Sequence, residues 1–265
     1  LLIAMAPIIA LLLSLCALLC HCQQNLRTDF MFDGEKTFRT MARANNPTTD
    51  KVTDHSYQKM YGHFLLPMLE KFKFENRTMK FLEIGLGCGM SYGPGASVKV
   101  WKDIFAGHDV DLWEAEFDAA CVKKSKSEGK LDGIKVVTGD QSDPAVLQRW
   151  VKETGGKFDV IIDDGGHISK QVLNSFKALW PQVNPGGNYF IEDLQVAYSP
   201  FWAPPGFPAV TKVMQAWVEV LHVGPNKAME HHKHILSEYP LPEGLDMIVC
   251  QREACVLHKD AKVRR

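Results

Sequence analysis

The chain has 265 residues, of which 46% are hydrophobic, and its 30 basic and 31 acidic side chains give a formal net charge of -1. A chain of this length builds about one α/β domain with an ample core. No basic run is longer than a pair such as Lys123-Lys124, so the positive patch of a nucleic-acid-binding protein is missing. These properties exclude nucleic acid as a partner and favour a small molecule.

The N-terminal segment differs in composition from everything after it. Positions 1–20 contain no charged residue and are rich in Leu, Ile and Ala, which suits either a membrane-spanning helix or the apolar part of a secretory signal. We expect a signal peptide or membrane anchor at 1–22, a linker at 23–44 and one domain at 45–265. The segment would engage the membrane or the secretion machinery, and mixed flanking charges leave the side of the membrane open.

Short apolar runs alternate with helix-like stretches along the rest of the chain, and this alternation predicts a parallel sheet covered on both faces. The predicted strands are 79–84, 109–114, 134–138, 158–163 and 187–192, with a closing pair at 246–250 and 254–258. The expected fold is α/β, a mostly parallel seven-stranded sheet with a C-terminal antiparallel hairpin and helices on both faces. Monomer and homo-oligomer both remain open.

The first predicted strand ends in an acid and a glycine-rich turn. Glu83 is followed by Gly85, Gly87 and Gly89 in the string 81–89, F-L-E-I-G-L-G-C-G. Glycines let the backbone approach a ligand closely, and open α/β sheets bind nucleotides at the carboxyl edge of the first strand. The preceding acid suits a ligand with a cationic amino-acid end better than a pyrophosphate.

Acidic residues also follow two later strands. The strand at 158–163 runs into D-D-G-G-H at 163–167, and the strand at 187–192 ends in E-D at 192–193. Because neighbouring parallel strands finish at one edge of the sheet, these carboxylates should converge with the histidine beside them. Such a group suits a hard divalent cation and a base. The loop 198–208, rich in proline and aromatic residues, is placed to cover a ligand.

The chain has seven cysteines, and their positions in the sequence suggest only one disulfide pair. Cys250 and Cys255 flank a short turn in the closing hairpin, so they form either a cross-strand disulfide, if the domain is lumenal, or two reduced core thiols. Cys88 and Cys121 occupy interior positions of the predicted domain. The other three lie in or beside the N-terminal apolar segment.

The glycine-rich turn resembles the first motif, E/D-x-G-x-G-x-G, of class I S-adenosylmethionine-dependent methyltransferases, and the likeness extends over roughly 45–258. It implies a Rossmann-like fold and S-adenosylmethionine as cofactor. Glu116 would accept hydrogen bonds from the ribose hydroxyls, with Glu114 as a competing register, and Asp140 would face the adenine or act only in a turn. The implied cofactor residues are Glu83, Gly85, Gly87, Gly89, Glu116, Asp140, Gln141 and Asp163, the last supporting the strand end.

Three further strings resemble a narrower group, the metal-dependent sugar O-methyltransferases of macrolide biosynthesis (mycinamicin type) and related fungal and cephalosporin-hydroxylase-like proteins. They are D-D-G-G-H, P-G-G-x-Y-x-x-E-D-L at 185–194, and T-D-K-x-x-x-H-x-Y-x-x-x-Y at 49–61. The likeness implies Mg²⁺ as the metal and assigns it Asp164, Glu192 and Asp193. It makes His167 the general base. Gln171 stands where the group commonly has a second histidine, so the likeness does not extend to a proton relay through a second imidazole.

The resulting hypothesis is an S-adenosylmethionine- and Mg²⁺-dependent O-methyltransferase acting on a hydroxyl of a sugar or another small-molecule diol. The alternative is a secreted or surface-anchored binding protein that retains the fold without turnover. Tyr57 and Tyr61 share one helical face, so core packing and ligand contact both remain open for them. The histidines at 231, 232 and 234 are typical of a solvated loop rather than a metal site.

Overall fold

A seven-stranded sheet forms the centre of the computed structural model, which describes residues 34–262. The strands are β1 (Met79–Ile84), β2 (Val110–Glu116), β3 (Lys135–Thr138), β4 (Phe158–Asp163), β5 (Val183–Ile191), β6 (Leu245–Gln251) and β7 (Ala254–Lys259). Their order is β3-β2-β1-β4-β5-β7-β6. Strands β1 to β5 are parallel, whereas β7 is antiparallel to β5 and β6. The predicted sheet and its C-terminal hairpin are confirmed.

Helices connect the strands and cover both faces of the sheet. They are α1 (34–44), α2 (58–74), α3 (Ala96–Ile104), α4 (Ala119–Ser127), α5 (Pro144–Thr154), α6 (Ser169–Leu179), α7 (Val210–Val223) and α8 (Pro225–Leu236). The middle of α2 is π-helical at Tyr61–Leu65, and a short 3₁₀ turn at Asp50–Val52 precedes this helix. Asp118 begins α4 by accepting hydrogen bonds from two backbone amides of its first turn, as N-cap residues do.

The core lies on the two faces of the sheet because successive strand residues point in opposite directions. Phe81 packs with α1, α2 and α3 on one face, and Leu82 packs with α5 to α8 on the other. Every residue of β4 is buried, as expected for a central parallel strand covered on both sides. The carboxyl ends of β1, β2, β4 and β5 therefore form one edge, above which the connecting loops meet.

The domain begins earlier than the sequence indicated. Residues 34–44, assigned to a linker, form α1, whose fully buried Phe38 stacks on Tyr61 with ring centroids 4.9 Å apart. The expected signal peptide or anchor at 1–22 lies outside the described residues. Within 34–262, no helix is both long and apolar enough to cross a membrane. The predicted histidine loop is instead part of α8, where His232 Nε2 lies 2.7 Å from Glu219 Oε2.

Two disulfides are present in the described chain. One joins Cys250 to Cys255 across the β6–β7 hairpin, where the sequence had left bonded and reduced states open. The other joins Cys88 to Cys121, and here the prediction that only the hairpin cysteines could pair was wrong. The parallel pairing of β1 with β2 brings the loops after the two strands together, which residue spacing alone does not reveal.

Candidate active site

A cavity of about 470 Å³ lies over the carboxyl ends of β1, β2 and β4. It is lined by eight of the twelve predicted site residues: Gly85, Gly87, Gly89, Glu116, Gln141, Asp164, His167 and Asp193. The remaining four, Glu83, Asp140, Asp163 and Glu192, lie outside the cavity lining. Residues that no site prediction included also line it, among them Lys51, Ser97, Phe117 and Trp202.

The glycine-rich turn forms one wall of the cavity. Gly85 and Gly87 have φ values of 111° and 80°, which glycine adopts without the strain that other residues would incur. A Cβ atom on Gly85 would also collide with the backbone carbonyl oxygen of Asp164. This close approach packs the glycine-rich turn against the D-D-G-G-H loop, so the two predicted halves of the site share one wall.

Glu116 lies where β2 meets the cavity, and Glu114 lies beneath it. The Glu116 carboxylate accepts hydrogen bonds from the backbone amides of Leu86 (3.1 Å) and Asp118 (3.0 Å). Glu114 is fully buried and pairs in register with Glu83 of β1. Burial, and then the neighbouring carboxylate of Glu83, raise the pKa of Glu114 well above its usual value. The geometry favours Glu116 over Glu114 as the ribose residue, a role that stays a prediction.

Asp163 supports the cavity from below. It is buried, and it accepts hydrogen bonds from Gln141 Nε2 (2.9 Å), Ser175 Oγ (2.5 Å) and Tyr189 OH (3.0 Å). Gln141 in turn accepts from the Gly166 amide at 2.9 Å, so one side chain joins the two loops. Asp140 accepts from a backbone amide two residues later, which is the turn role that the sequence had left open.

Glu83 also lies below the cavity, not in it. Its Oε2 accepts hydrogen bonds from Ser97 Oγ and Trp101 Nε1, both at 2.7 Å. Its Oε1 lies 3.3 Å from Lys51 Nζ. Because Ser97 and Lys51 line the cavity, Glu83 acts on any ligand through these two side chains. Direct contact with the methionine part of a cofactor does not fit this geometry.

Lys51 is the centre of a buried cluster of acids that the sequence did not reveal. Its side chain is 1% exposed, and Nζ lies 2.6 Å from Asp164 Oδ2 and 2.5 Å from Glu192 Oε2, in addition to its contact with Glu83. Burial by itself lowers the pKa of a lysine, but the carboxylates of Asp164 and Glu192 hold that of Lys51 well above its usual value. Three strand ends thus share one ammonium ion.

Asp164, His167 and Asp193 form a second group, with one ligand atom from each within 4.8 Å of the others. One oxygen of each carboxylate is already held, since Asp164 Oδ2 contacts Lys51 and Asp193 Oδ1 accepts from Tyr57 OH at 2.6 Å. The other oxygens, Asp164 Oδ1 and Asp193 Oδ2, lie 3.9 Å and 3.4 Å from His167 Nε2. Burial raises the pKa of Asp193, but the neighbouring His167 and then the hydrogen bond from Tyr57 lower it below its usual value.

Glu192 does not belong to this group, although the sequence placed it among the metal ligands. Its two oxygens are occupied by Lys51 Nζ and Tyr61 OH, and its side chain is 1% exposed. Glu192 therefore holds the buried cluster together in this structure. Tyr57 and Tyr61 combine the two roles left open for them, since both rings are buried and each hydroxyl contacts an acid of the site.

The backbone at this group adopts an unusual conformation. His167 and Asp193 have φ values of 55° and 56°, a left-handed region that costs non-glycine residues about 1–3 kcal/mol and concentrates at functional sites. The Asp193 amide is held by Tyr57 OH at 3.1 Å. His167 Nδ1 is buried without a hydrogen-bond partner among the described residues. The surrounding packing thus holds the His167 imidazole close to Asp164 Oδ1 and Asp193 Oδ2.

The composition of this group fits a divalent cation. Mg²⁺ prefers oxygen ligands and usually retains several waters, so two carboxylate oxygens beside an open cavity satisfy its requirements. An imidazole within reach would also accept Mn²⁺ or another transition metal. Lys51 and Tyr57 each fasten one oxygen of a carboxylate, as outer residues of metal sites commonly do.

The proline-rich loop reaches the site through one aromatic residue. Trp202 lines the cavity, and its ring lies edge-on to His167 with centroids 6.1 Å apart. Its carbonyl oxygen accepts a hydrogen bond of 2.7 Å from the Ser169 amide, which attaches the loop to the start of α6. Gln171 also lines the cavity and accepts from the Ile168 amide at 3.4 Å. Gln171, at the position where the resembling group commonly has a second histidine, therefore caps the start of α6.

Comparison with known proteins identifies similar sequences and folds. Residues 82–194 match a family described as a methyltransferase domain. Demethylmacrocin O-methyltransferase of Streptomyces fradiae is 34% identical over 160 residues, which cover 58% of this chain and 38% of that protein. Mycinamicin VI 2''-O-methyltransferase of Micromonospora griseorubida is 31% identical over 166 residues, covering 59% of this chain and 38% of that protein.

A solved structure supports the same fold. The methyltransferase from the mycinamycin biosynthetic pathway, in complex with Mg, SAH and mycinamycin VI, superposes with a TM-score of 0.55 at 24% identity, covering 78% of this chain and 50% of that one. At this identity the match establishes the Rossmann-like methyltransferase fold alone. The chain spans half or less of the length of each of these relatives.

Proposed function

We propose that this protein, whose residues 82–194 match a methyltransferase domain, is a class I S-adenosylmethionine-dependent O-methyltransferase for a hydroxyl of a small-molecule glycoside or other vicinal diol. One observation carries the proposal. A single cavity runs from the glycine-rich turn to the group of Asp164, His167 and Asp193, so a methyl donor and an acceptor can meet in one space.

The residues of the chain divide the work between two ends of the cavity. At one end, Gly85 and Gly87 let the protein backbone approach the cofactor closely, and the Glu116 carboxylate accepts hydrogen bonds from the ribose hydroxyls of the cofactor. At the other, Asp164 and Asp193 would hold the cation, which when bound would lower the pKa of an acceptor hydroxyl and orient it. Such orientation is a large part of catalysis for a displacement that needs the hydroxyl in line with the methyl group.

His167 Nε2 is the proposed base for the acceptor hydroxyl. It faces the cavity between Asp164 and Asp193, whose negative charges stabilise the imidazolium formed when it takes the proton. General-base catalysis of this kind contributes typically about 10²- to 10⁴-fold. Trp202 lies edge-on to the imidazole and lines this end of the cavity.

The names of the relatives support the proposed class of methyl acceptor. The relatives are O-methyltransferases named for demethylmacrocin, for a rhamnosyl tetracenomycin and for mycinamicin VI, and a solved relative is in complex with Mg and SAH. These support a sugar hydroxyl as acceptor and Mg²⁺ as the ion.

The test measures methyl transfer to a panel of glycosides and catechols, with calorimetry of S-adenosylhomocysteine and Mn²⁺ binding beside it. We expect transfer to stop with EDTA, to return with Mg²⁺, and to be lost in Asp164→Asn. Asp246→Asn, an exposed acid on β6, is the matched control and should retain activity. Failure of the parent protein to bind S-adenosylhomocysteine would refute the proposal.

His167→Gln separates the base from a ligand. If His167 acts only as the base, its replacement leaves the metal ligands intact. Turnover should then fall by about 10²- to 10⁴-fold, while Mn²⁺ affinity changes by less than about threefold. If His167→Gln weakens Mn²⁺ binding as much as Asp164→Asn does, the imidazole is a ligand instead. Cofactor binding without transfer to any acceptor would favour the alternative, a binding protein that has kept the fold.

We also propose that the protein matures in the secretory pathway or at a membrane, on a side that stays open. Two disulfides in the described chain support this, because such bonds persist mainly in oxidising compartments. The apolar N-terminal composition agrees with it. Expression of the full chain with a C-terminal tag, followed by fractionation and protease protection, tests the location.

A further inference from the structure

The disulfide between Cys88 and Cys121 joins the two loops that flank the cofactor end of the cavity. Cys88 lies within the glycine-rich turn and lines the cavity. Cys121 lies in the first turn of α4, which begins directly after Glu116 and Phe117. Their Cα atoms are 6.1 Å apart, and 33 residues separate them in the chain. The bond therefore links the turn that would face the cofactor's methionine end to the loop that would face its ribose.

The glycine-rich turn is held at its start, where the Gly85 amide donates to Ala115 O (2.8 Å) and the buried Leu86 packs with Val98 and Val122, but the rest of it has few fixed contacts besides the disulfide. Between β1 and α3, residues 85–95 include five glycines, and four of them have positive φ values. Its internal backbone hydrogen bonds are turn contacts such as Met90 N to Gly87 O (3.1 Å) and Gly95 N to Leu86 O (2.9 Å). Glycine-rich segments have the most conformational freedom to lose when a ligand orders them.

The other end of the bond is firmly placed. Asp118 Oδ1 accepts hydrogen bonds from the amides of Ala120 (2.9 Å) and Cys121 (3.0 Å), which fixes the start of α4. Besides the disulfide, the start of the turn is joined to this region by the hydrogen bond from Leu86 N to Glu116 Oε2 (3.1 Å), by that from Gly85 N to Ala115 O (2.8 Å), and by the packing of Leu86 against Val122. A flexible turn is thus covalently attached to a rigid helix start.

We propose that Cys88 and Cys121 are positioning residues of the cofactor site, and that their disulfide orders the glycine-rich turn before the cofactor binds. This inference rests on the proposed methyltransferase function. Ordering a site in advance strengthens binding by removing an entropic penalty from the binding step. Both cysteines are half-buried, so a reductant in solution reaches the bond.

Reduction of the bond makes cofactor affinity sensitive to redox conditions. Two electrons and two protons convert the disulfide into the thiols of Cys88 and Cys121, while a dithiol such as dithiothreitol supplies them and becomes its cyclic disulfide. The protein loses no atom of its own in this step. The expected effect is about a tenfold weaker affinity for S-adenosylhomocysteine, equivalent to ordering about one backbone residue on binding.

The second disulfide supplies a matched control. Cys250 and Cys255 join the β6–β7 hairpin, and neither lines the cofactor cavity. The experiment compares the parent protein with Cys88→Ser/Cys121→Ser and with Cys250→Ser/Cys255→Ser. S-adenosylhomocysteine binding is measured by calorimetry, and KM for the cofactor is measured separately from kcat. Circular dichroism checks that each variant is folded.

The first variant should bind about tenfold more weakly, with a larger unfavourable entropy and a raised KM, whereas kcat stays within about twofold. The hairpin variant should bind like the parent until dithiothreitol is added, and then as weakly as the first variant. The comparison of the hairpin variant with and without dithiothreitol tests the inference even if the first variant does not fold. Equal affinity in all oxidised proteins overturns the inference and leaves the proposed function intact, whereas no binding by the parent refutes both.

Discussion

Replacing Lys51 with methionine should destabilise the domain strongly, because one ammonium ion neutralises several buried acids. Its Nζ lies within 3.3 Å of carboxylate oxygens of Glu83, Asp164 and Glu192, and the side chain is 1% exposed. Methionine fills a similar space without charge. The acids would remain in the protein interior without their cation, and water cannot replace it there.

The expected magnitude follows from removing one partner of a buried ion pair, which costs about 3–5 kcal/mol. In a domain of this size, 1 kcal/mol shifts Tm by about 2–4 °C. Lys51→Met should therefore lower Tm by about 6–20 °C at pH 7 in EDTA, measured by differential scanning calorimetry. Most of the effect should come from Glu83 and Glu192, because Asp164 is 23% exposed and solvent screens its charge.

The pH dependence of this loss identifies its cause. Burial raises the pKa of Glu83 and of Glu192 in the folded protein, and loss of the ammonium raises both further. A carboxyl whose folded pKa exceeds its unfolded value destabilises the fold as pH rises from the unfolded pKa, near 4.5, toward the folded pKa. The Tm difference between Lys51→Met and the parent should therefore shrink between pH 7 and pH 5.

Lys259→Met is the matched control, because the ammonium of this buried lysine is held by carbonyl oxygens and forms no salt bridge among the described residues. Lys259 is 8% exposed, and its Nζ donates to the carbonyl oxygens of Trp180 (3.1 Å) and Val183 (2.9 Å). Its loss leaves two neutral acceptors unsatisfied, which costs about 1–3 kcal/mol each at most, and the difference from the parent should be the same at pH 5 and pH 7. If both variants lose equal stability at both pH values, the charge-cluster reasoning is wrong.

Three further predictions concern single side chains. Glu114→Gln should raise Tm relative to the parent at pH 8 but not at pH 4.5, because the raised folded pKa of Glu114 makes its ionisation destabilising as pH rises above 4.5; an unchanged pH profile by calorimetry would contradict this. Glu116→Gln should weaken S-adenosylhomocysteine binding about tenfold, because bonds to a charged acceptor are stronger than bonds to an amide, and titration calorimetry measures it. Tyr57→Phe removes the donor to Asp193 Oδ1 and should weaken Mn²⁺ binding about 10- to 100-fold, with S-adenosylhomocysteine affinity as the unaffected readout.

The strands could be predicted from the sequence because their signals are local. The apolar run at 158–163 becomes β4 with the same bounds, and the first strand at 79–84 does too. Buried parallel strands require hydrophobic side chains on both faces, so composition alone marks them. The linker assignment at 23–44 was wrong for 34–44, because a short polar helix with one buried stripe resembles a linker in composition.

The buried cluster could not be predicted in the same way. Lys51 contacts Asp164 and Glu192 across 113 and 141 residues of chain, and the polar composition around it does not distinguish it from a surface lysine. Its place in the T-D-K string at 49–51 was the available signal. Glu192 was assigned to the metal for a related reason. Glu192 and Asp193 look equivalent in the sequence, and only the structure shows that Lys51 and Tyr61 contact both oxygens of Glu192.

Asp164 belongs to both groups of acids, and this connects the two ends of the cavity. Its Oδ2 contacts Lys51, which also contacts Glu83 beneath the glycine-rich turn, while its Oδ1 faces His167. A substitution at Glu83 therefore removes one of the acids that contact the Lys51 ammonium, which also contacts Asp164, and a cation bound at Asp164 would alter the electrostatic field at Glu83. At the effective dielectric of a protein interior, charges about 4 Å apart interact by several kcal/mol. Glu83 and the group of Asp164, His167 and Asp193 are thus linked through one lysine rather than arranged independently.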